Sequence, residues 1–217
     1  MQDHTDTVAH PLLASSLDAY LTTLASSAPA PGGGSVAALA AAQGAALLSM
    51  VLNLTLGRPR FAASEEEGRA ILAAAERLRA ECAALIDRDA AVLGALIASY
   101  KLPKGTSEER AARTATLAAR TREATEVPLA VARTAAALLP LCRQLLPLGN
   151  PTAVSDIGVA ATCAVAGFRA AELNVLINLG QLPDEGFVAA ARSTLAELGR
   201  GLEDEAAAIL TVVRERL

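Results

Sequence analysis

The stretch Ala30-Pro31-Gly32-Gly33-Gly34-Ser35 is where the chain most plainly offers groups for chemistry. Three glycines leave backbone N–H groups bare, and a helix opening at Ser35 would add its dipole, so anions or polar ring edges could be held there. The run lacks the lysine of a P-loop, and a plain hinge between two helices would use the same residues. Lysine is scarce: 17 arginines accompany only Lys101 and Lys104, beside Tyr100 and Pro103. A lysine pKa moves readily on burial and an arginine pKa does not, so these two are candidates for proton transfer or for anion contact; two solvated loop charges are the plainer reading. His4 and His10 both lie near the N-terminus, which leaves carboxylates, lysine, tyrosine or cysteine for acid–base work in the core.

Other candidates are amides and charges at helical spacing. Asp87 and Asp89 flank Arg88, so only one of them can face a given pocket, and a solvated, ion-paired face suits either. Asp156 falls in the first turn of an apolar segment, where an acid is stabilised by the helix dipole whether or not it reacts. Asn174 and Asn178 share a helix face and need partners if buried; they can grip a flat heterocycle or bridge helices. Arg58 and Arg60 flank Pro59 behind a long apolar helix, where positive charge suits the helix C-terminus and could also meet a carboxylated ligand.

Helices must position all of these. Alanine makes up close to a quarter of the chain and aromatics only 2%, too few β-branched and aromatic residues for several strands. The spacing predicts a helix near 15–27, ended by Pro29 and Pro31, and an apolar helix capped by Ser35 and running to about Gly57. Ser64 with Glu67 and Thr106 with Glu109 form capping boxes for helices over 64–101 and 106–127. Pro128 opens the next helix, Gly149-Asn150-Pro151 is a turn, and helices over 152–179 and 183–215 complete the chain. The expectation is one all-α domain, a bundle of about seven helices over 15–217, behind a flexible tail at 1–14. Small side chains allow close helix packing and an intertwined or closely packed dimer.

With 217 residues the chain can bury a substantial core, and a net charge of −4 without a basic stripe or aromatic platform argues against nucleic acid. Cys82, Cys142 and Cys163 have no paired spacing; they read as thiols of a reducing compartment rather than as disulfides or a zinc site. Ser35 to Gly57 is 23 residues without a charge, long enough to span a bilayer. Its many alanines, with Gln43, Ser49 and Asn53, favour a buried helix in an oligomer, and the N-terminus carries no signal-peptide pattern.

Taken in order, the segments resemble the formiminotetrahydrofolate cyclodeaminase and methenyltetrahydrofolate cyclohydrolase family. The landmarks are Pro-Gly-Gly-Gly-Ser with its alanine-rich helix and Leu-Thr-Leu-Gly, then Tyr100-Lys101-Leu102-Pro103-Lys104, Glu126-Val127-Pro128, Gly149-Asn150-Pro151 through Ser155-Asp156, and Leu173-Asn174 to Asn178. The basic residues after Gly57 are Arg-Pro-Arg, where the family usually carries a lysine-rich run. The resemblance implies a helical, dimeric, cytoplasmic enzyme of the free-standing kind. Its substrate would be a tetrahydrofolate derivative with one carbon carried on N5 and N10, with no metal and no permanently bound cofactor. It assigns Gly32, Gly33, Gly34 and Ser35 to the pterin or one-carbon unit, Lys101 or Asp87 to proton transfer, Asp156, Asn174 and Asn178 to the heterocycle, and Arg58, Arg60 and Lys104 to the glutamate tail. A folate-binding or scaffold protein without turnover is the alternative from another class.

Overall fold

The computed structural model describes residues 12–217. Eight α-helices follow one another among them: α1 Leu17–Leu24, α2 Gly33–Asn53, α3 Glu65–Ser99, α4 Ser107–Ala136, α5 Leu138–Leu145, α6 Val154–Leu179, α7 Glu185–Gly199 and α8 Leu202–Arg214. The described residues contain no strand. Of the expected tail, residues 1–11 lie outside the described residues, and Leu12–Ala14 form a 3-10 turn against α3.

α2 is the axis of the bundle and packs most extensively on α6 and α3. The reason is in its side chains: Ala37, Ala38, Ala41 and Ala45 are fully buried and meet a matching series, Ala160, Ala161, Ala164 and Ala171, on α6. Small residues on both faces bring the helices close, and larger residues such as Leu48, Leu52, Leu138 and Phe168 fill the spaces around them. The α2, α4–α5 and α6 stretches are long and apolar enough to cross a membrane by length and composition, but 56%, 61% and 39% of those windows are buried in the bundle.

Three local expectations differ from the structure. α4 does not stop before Pro128 but runs through it. A proline inside a helix leaves the carbonyl four residues back without its donor, and here the side-chain amide of Asn178 donates to that carbonyl, Ala124 O, at 2.9 Å. The final helix is broken at Gly201, whose φ of +69° favours glycine and separates α7 from α8. Ser64 makes no capping bond; instead Glu65 accepts from the N–H of Gly57 at 2.9 Å. The box at Thr106 and Glu109 does form, with both reciprocal bonds at 3.1 Å.

Candidate active site

The N-terminus of α2 opens into a cleft of about 240 Å³ lined by Gly32, Gly33, Gly34, Asp89, Asn174 and Asn178, with Leu96 and Pro128 among its apolar walls. Four helices meet there: α2 supplies the glycines, α3 the carboxylate, α4 the proline wall and α6 the two amides. Ser35 does not cap α2, whose N-cap is Gly32. It sits in the first turn, fully buried, and its hydroxyl reaches across to α3, to Ile86 O at 3.0 Å and Asp89 Oδ2 at 3.1 Å.

Asp89 is the carboxylate of the cleft. Burial pushes its pKa above the ordinary aspartate range, while hydrogen bonds from the hydroxyl and backbone of Ser35 pull it back. A carboxylate raised this way is a stronger base than a solvated one. Its charge is felt nearby: the phenol of Tyr20, buried under α1, is raised first by burial and then by Asp89. Gly34 is what lets the carboxylate come so close to the helix end. A Cβ built on Gly34 would lie 2.5 Å from Asp89 Cγ and 2.8 Å from Oδ2. Any larger residue would push the carboxylate away.

Both asparagines use their amide N–H groups on backbone carbonyls. Asn174 donates to Ala170 O at 2.8 Å and Asn178 to Ala124 O at 2.9 Å. Each side chain is thereby oriented, and its Oδ1 remains an acceptor for a ligand N–H. A Cβ on Gly33 would stand 3.1 Å from Asn174 Nδ2 and would press on that amide.

The structure separates the remaining candidates. Asp87 points the other way on α3 and accepts from the N–H of Leu13 at 3.3 Å, a bond that pins the N-terminal turn. Lys101 and Lys104 are exposed, in the loop that follows α3 beyond Leu96. Two arginines of α4 shape that loop: Arg110 donates to Lys104 O at 3.3 Å and Gly105 O at 3.0 Å, and Arg113 to Tyr100 O at 3.3 Å. Arg58, Arg60 and Asp156 lie at the far end of the bundle. At 1.5 Å per residue, the 21 residues of α2 put Arg58 roughly 30 Å from Gly33, and Asp156 is about 27 Å along α6 from Asn174. Arg60 is engaged there, donating to Asn150 Oδ1 at 2.9 Å and lying over the Phe61 ring. Asn150, buried, also takes the hydroxyl of Thr55 through its N–H at 2.9 Å, so this group ties α2 to the turn before α6.

A family model described as formiminotransferase-cyclodeaminase matches residues 16–197. The chain is 42% identical over 193 residues to a methenyltetrahydrofolate cyclohydrolase from Methylorubrum extorquens, covering 89% of this chain and 91% of that one. It is 38% identical over 205 residues to the formimidoyltransferase-cyclodeaminase of Rattus norvegicus, covering 94% of this chain but 38% of the longer rat protein. The crystal structure of a formiminotetrahydrofolate cyclodeaminase from Thermotoga maritima superposes with a TM-score of 0.75 at 28% identity, over 94% of this chain and 96% of that one.

Proposed function

The chain belongs to the formiminotransferase-cyclodeaminase family, and we propose that it acts on the one-carbon bridge between N5 and N10 of tetrahydrofolate, with hydrolysis of 5,10-methenyltetrahydrofolate as its principal reaction. It is a folate one-carbon enzyme, and the relative with the cyclohydrolase name is matched nearly end to end at 42% identity. The observation that carries the mechanism is a single raised carboxylate, Asp89, set against the N-terminus of α2 and faced by two oriented amides.

In this reading Asp89 Oδ1 takes a proton from a water that adds to the amidinium carbon. The tetrahedral carbon then breaks its bond to N5, Asp89 returns the proton to N5, and the hydroxyl proton leaves to solvent as the carbonyl of 10-formyltetrahydrofolate forms. Asn174 and Asn178 accept from the pterin N–H groups, which fixes the ring so that N5 faces Asp89. The free N–H groups at the start of α2 stabilise the carboxylate before the proton arrives and polar oxygen in the tetrahedral species. The same groups serve the second reaction: Asp89 accepts the proton of N10 as it attacks the formimino carbon of 5-formiminotetrahydrofolate, then delivers it to the departing ammonia. The crystal structure of the Thermotoga maritima cyclodeaminase, alike in fold, favours that second reading.

Lys101 and Lys104 take the carboxylates of the glutamate tail at the mouth. Neither a metal nor a permanently bound cofactor has a part in the scheme. The protein works as a homodimer in the cytoplasm, without membrane or nucleic-acid partners. Purified protein is mixed separately with 5,10-methenyltetrahydrofolate and 5-formiminotetrahydrofolate while the methenyl absorbance is followed. Accelerated loss in the first supports hydrolysis, and accelerated gain with ammonia in the second supports deamination. Folded protein that changes neither rate refutes both and leaves a binding role.

A further inference from the structure

Tyr20 is the buried residue of α1, with 6% of its surface exposed. Its hydroxyl is enclosed and has no hydrogen-bond partner among the described residues. Phenylalanine would fill the same space without enclosing a hydroxyl, so a buried phenol whose O–H meets nothing calls for a function. The ring shares a cavity of about 150 Å³ with Leu39 of α2 and Ile86 of α3, besides Leu12 and Leu17. Those walls offer the hydroxyl nothing, and Ser15, the other hydroxyl of the lining, already donates to Leu12 O at 2.6 Å. Polar groups begin one turn further along both helices. Leu39 lies four residues after Ser35 and Ile86 three before Asp89, about 5 Å in each case. Ser35 joins α2 to α3 there, through Ile86 O and Asp89 Oδ2. Burial, and then the charge of Asp89, push the phenol pKa up, so the two groups lie within electrostatic reach of each other. Asp89 accepts from the hydroxyl and the N–H of Ser35, and an ionised carboxylate has room for about four donors.

We infer that Tyr20 is a positioning residue for Asp89: its hydroxyl donates, through one water, to the carboxylate from the side of α1 and keeps it ionised and oriented until substrate arrives. The catalytic use of Asp89 rests on the folate reading; the contact between the two side chains does not. A bond relayed by water is nearly as favourable as a direct one. It stabilises the charged form of Asp89 against burial, which favours the neutral form. The cleft presents Ser35, Pro128, Asn174 and Asn178 to Asp89 from α2, α4 and α6, and none of these titrates. Around Tyr20, α2 has no ionisable side chain. The other carboxylates on that side are Asp18 on α1, exposed, and Asp87 on α3, which accepts from the N–H of Leu13.

Two experiments test it. The chain has two tyrosines and no tryptophan, so Tyr100→Phe leaves Tyr20 as its sole emitter. Phenol emission is quenched by a hydrogen-bonded carboxylate once that group ionises. A fluorescence titration of Tyr100→Phe, with helicity followed alongside, should show emission falling as pH rises through the Asp89 pKa. The step should vanish when Asp89→Asn is added and persist when Asp87→Asn is added. A flat titration, or a step that Asp89→Asn leaves in place, overturns the contact, and neither result depends on turnover. For the role, Tyr20→Phe should move the acid limb of the kcat/KM profile for 5,10-methenyltetrahydrofolate up by about one pH unit, the shift expected on losing a hydrogen bond to a charged group. A profile that is lowered but not shifted would make Tyr20 structural and overturns the role. A wild-type protein without turnover defeats the folate reading instead, and the emission step then decides the contact.

Discussion

Gly34→Ala is the sharpest small perturbation available. The new Cβ would stand 2.5 Å from Asp89 Cγ, and an ordinary carbon–carbon contact is roughly 3.5 Å, so the carboxylate must retreat by about 1 Å. Its neighbour is a side chain on another helix, so the carboxylate moves and the helix stays. The retreat breaks the Ser35 hydroxyl bond, now 3.1 Å. A hydrogen bond to a charged group contributes about 1.5–3 kcal/mol, and a 1 Å misplacement of a reacting group costs roughly 100-fold. Compounded, these give a fall in kcat of about 10³–10⁴. Stability should fall modestly, since alanine gains up to about 1 kcal/mol over glycine in a helix and offsets only part of the lost bond. The assay is loss of methenyl absorbance, paired with thermal melting by circular dichroism. A Gly34→Ala protein with wild-type kcat would refute the reasoning that Asp89 works where it is held.

Other expectations concern single groups. Burial raises the folded pKa of Asp89 above that of an ordinary aspartate, so its contribution to stability falls as pH rises from the unfolded pKa through the folded pKa and then levels. Asp89→Asn should abolish that fall in urea-unfolding midpoints, and an identical pH dependence in the variant would count against the buried carboxyl. Lys101→Met should raise KM about tenfold with kcat held, because an exposed ammonium at the mouth adds binding and not proton transfer; a large fall in kcat would return proton transfer to Lys101. Pro128→Ala restores an N–H to Ala124 O and competes with Asn178, so melting temperature should rise while kcat/KM falls. A variant that gains neither stability nor loses activity would show that Asn178 needs no such anchor.

Much of the architecture was legible because alanine-rich, strand-poor composition and the proline and glycine punctuation allow little but packed helices. The glycine run, Asn174 and Asn178 could be placed on one site because their spacing selects a face. The carboxylate was harder. Choosing Asp87 over Asp89 ignored the phase of α3: Cys82, Leu85 and Ile86 are buried, and the next inward position in that series is 89, not 87. That periodic signal was available in the sequence. The helix through Pro128 was not, because the donor that rescues Ala124 O comes from Asn178, 54 residues away. The distance separating Arg58, Arg60 and Asp156 from the cleft also needed the structure, since the antiparallel course of α2 and α6 is a tertiary fact.

The account turns on Asp89 as the group that moves the proton. Steady-state turnover of 5,10-methenyltetrahydrofolate should therefore be measured side by side for the wild type, Asp89→Asn and Asp87→Asn, each checked for helicity. General acid–base groups contribute about 10²–10⁴-fold, so Asp89→Asn should fall by that order while Asp87→Asn stays near the wild-type rate. Near-normal turnover in a folded Asp89→Asn protein, or a collapse confined to Asp87→Asn, would contradict the account.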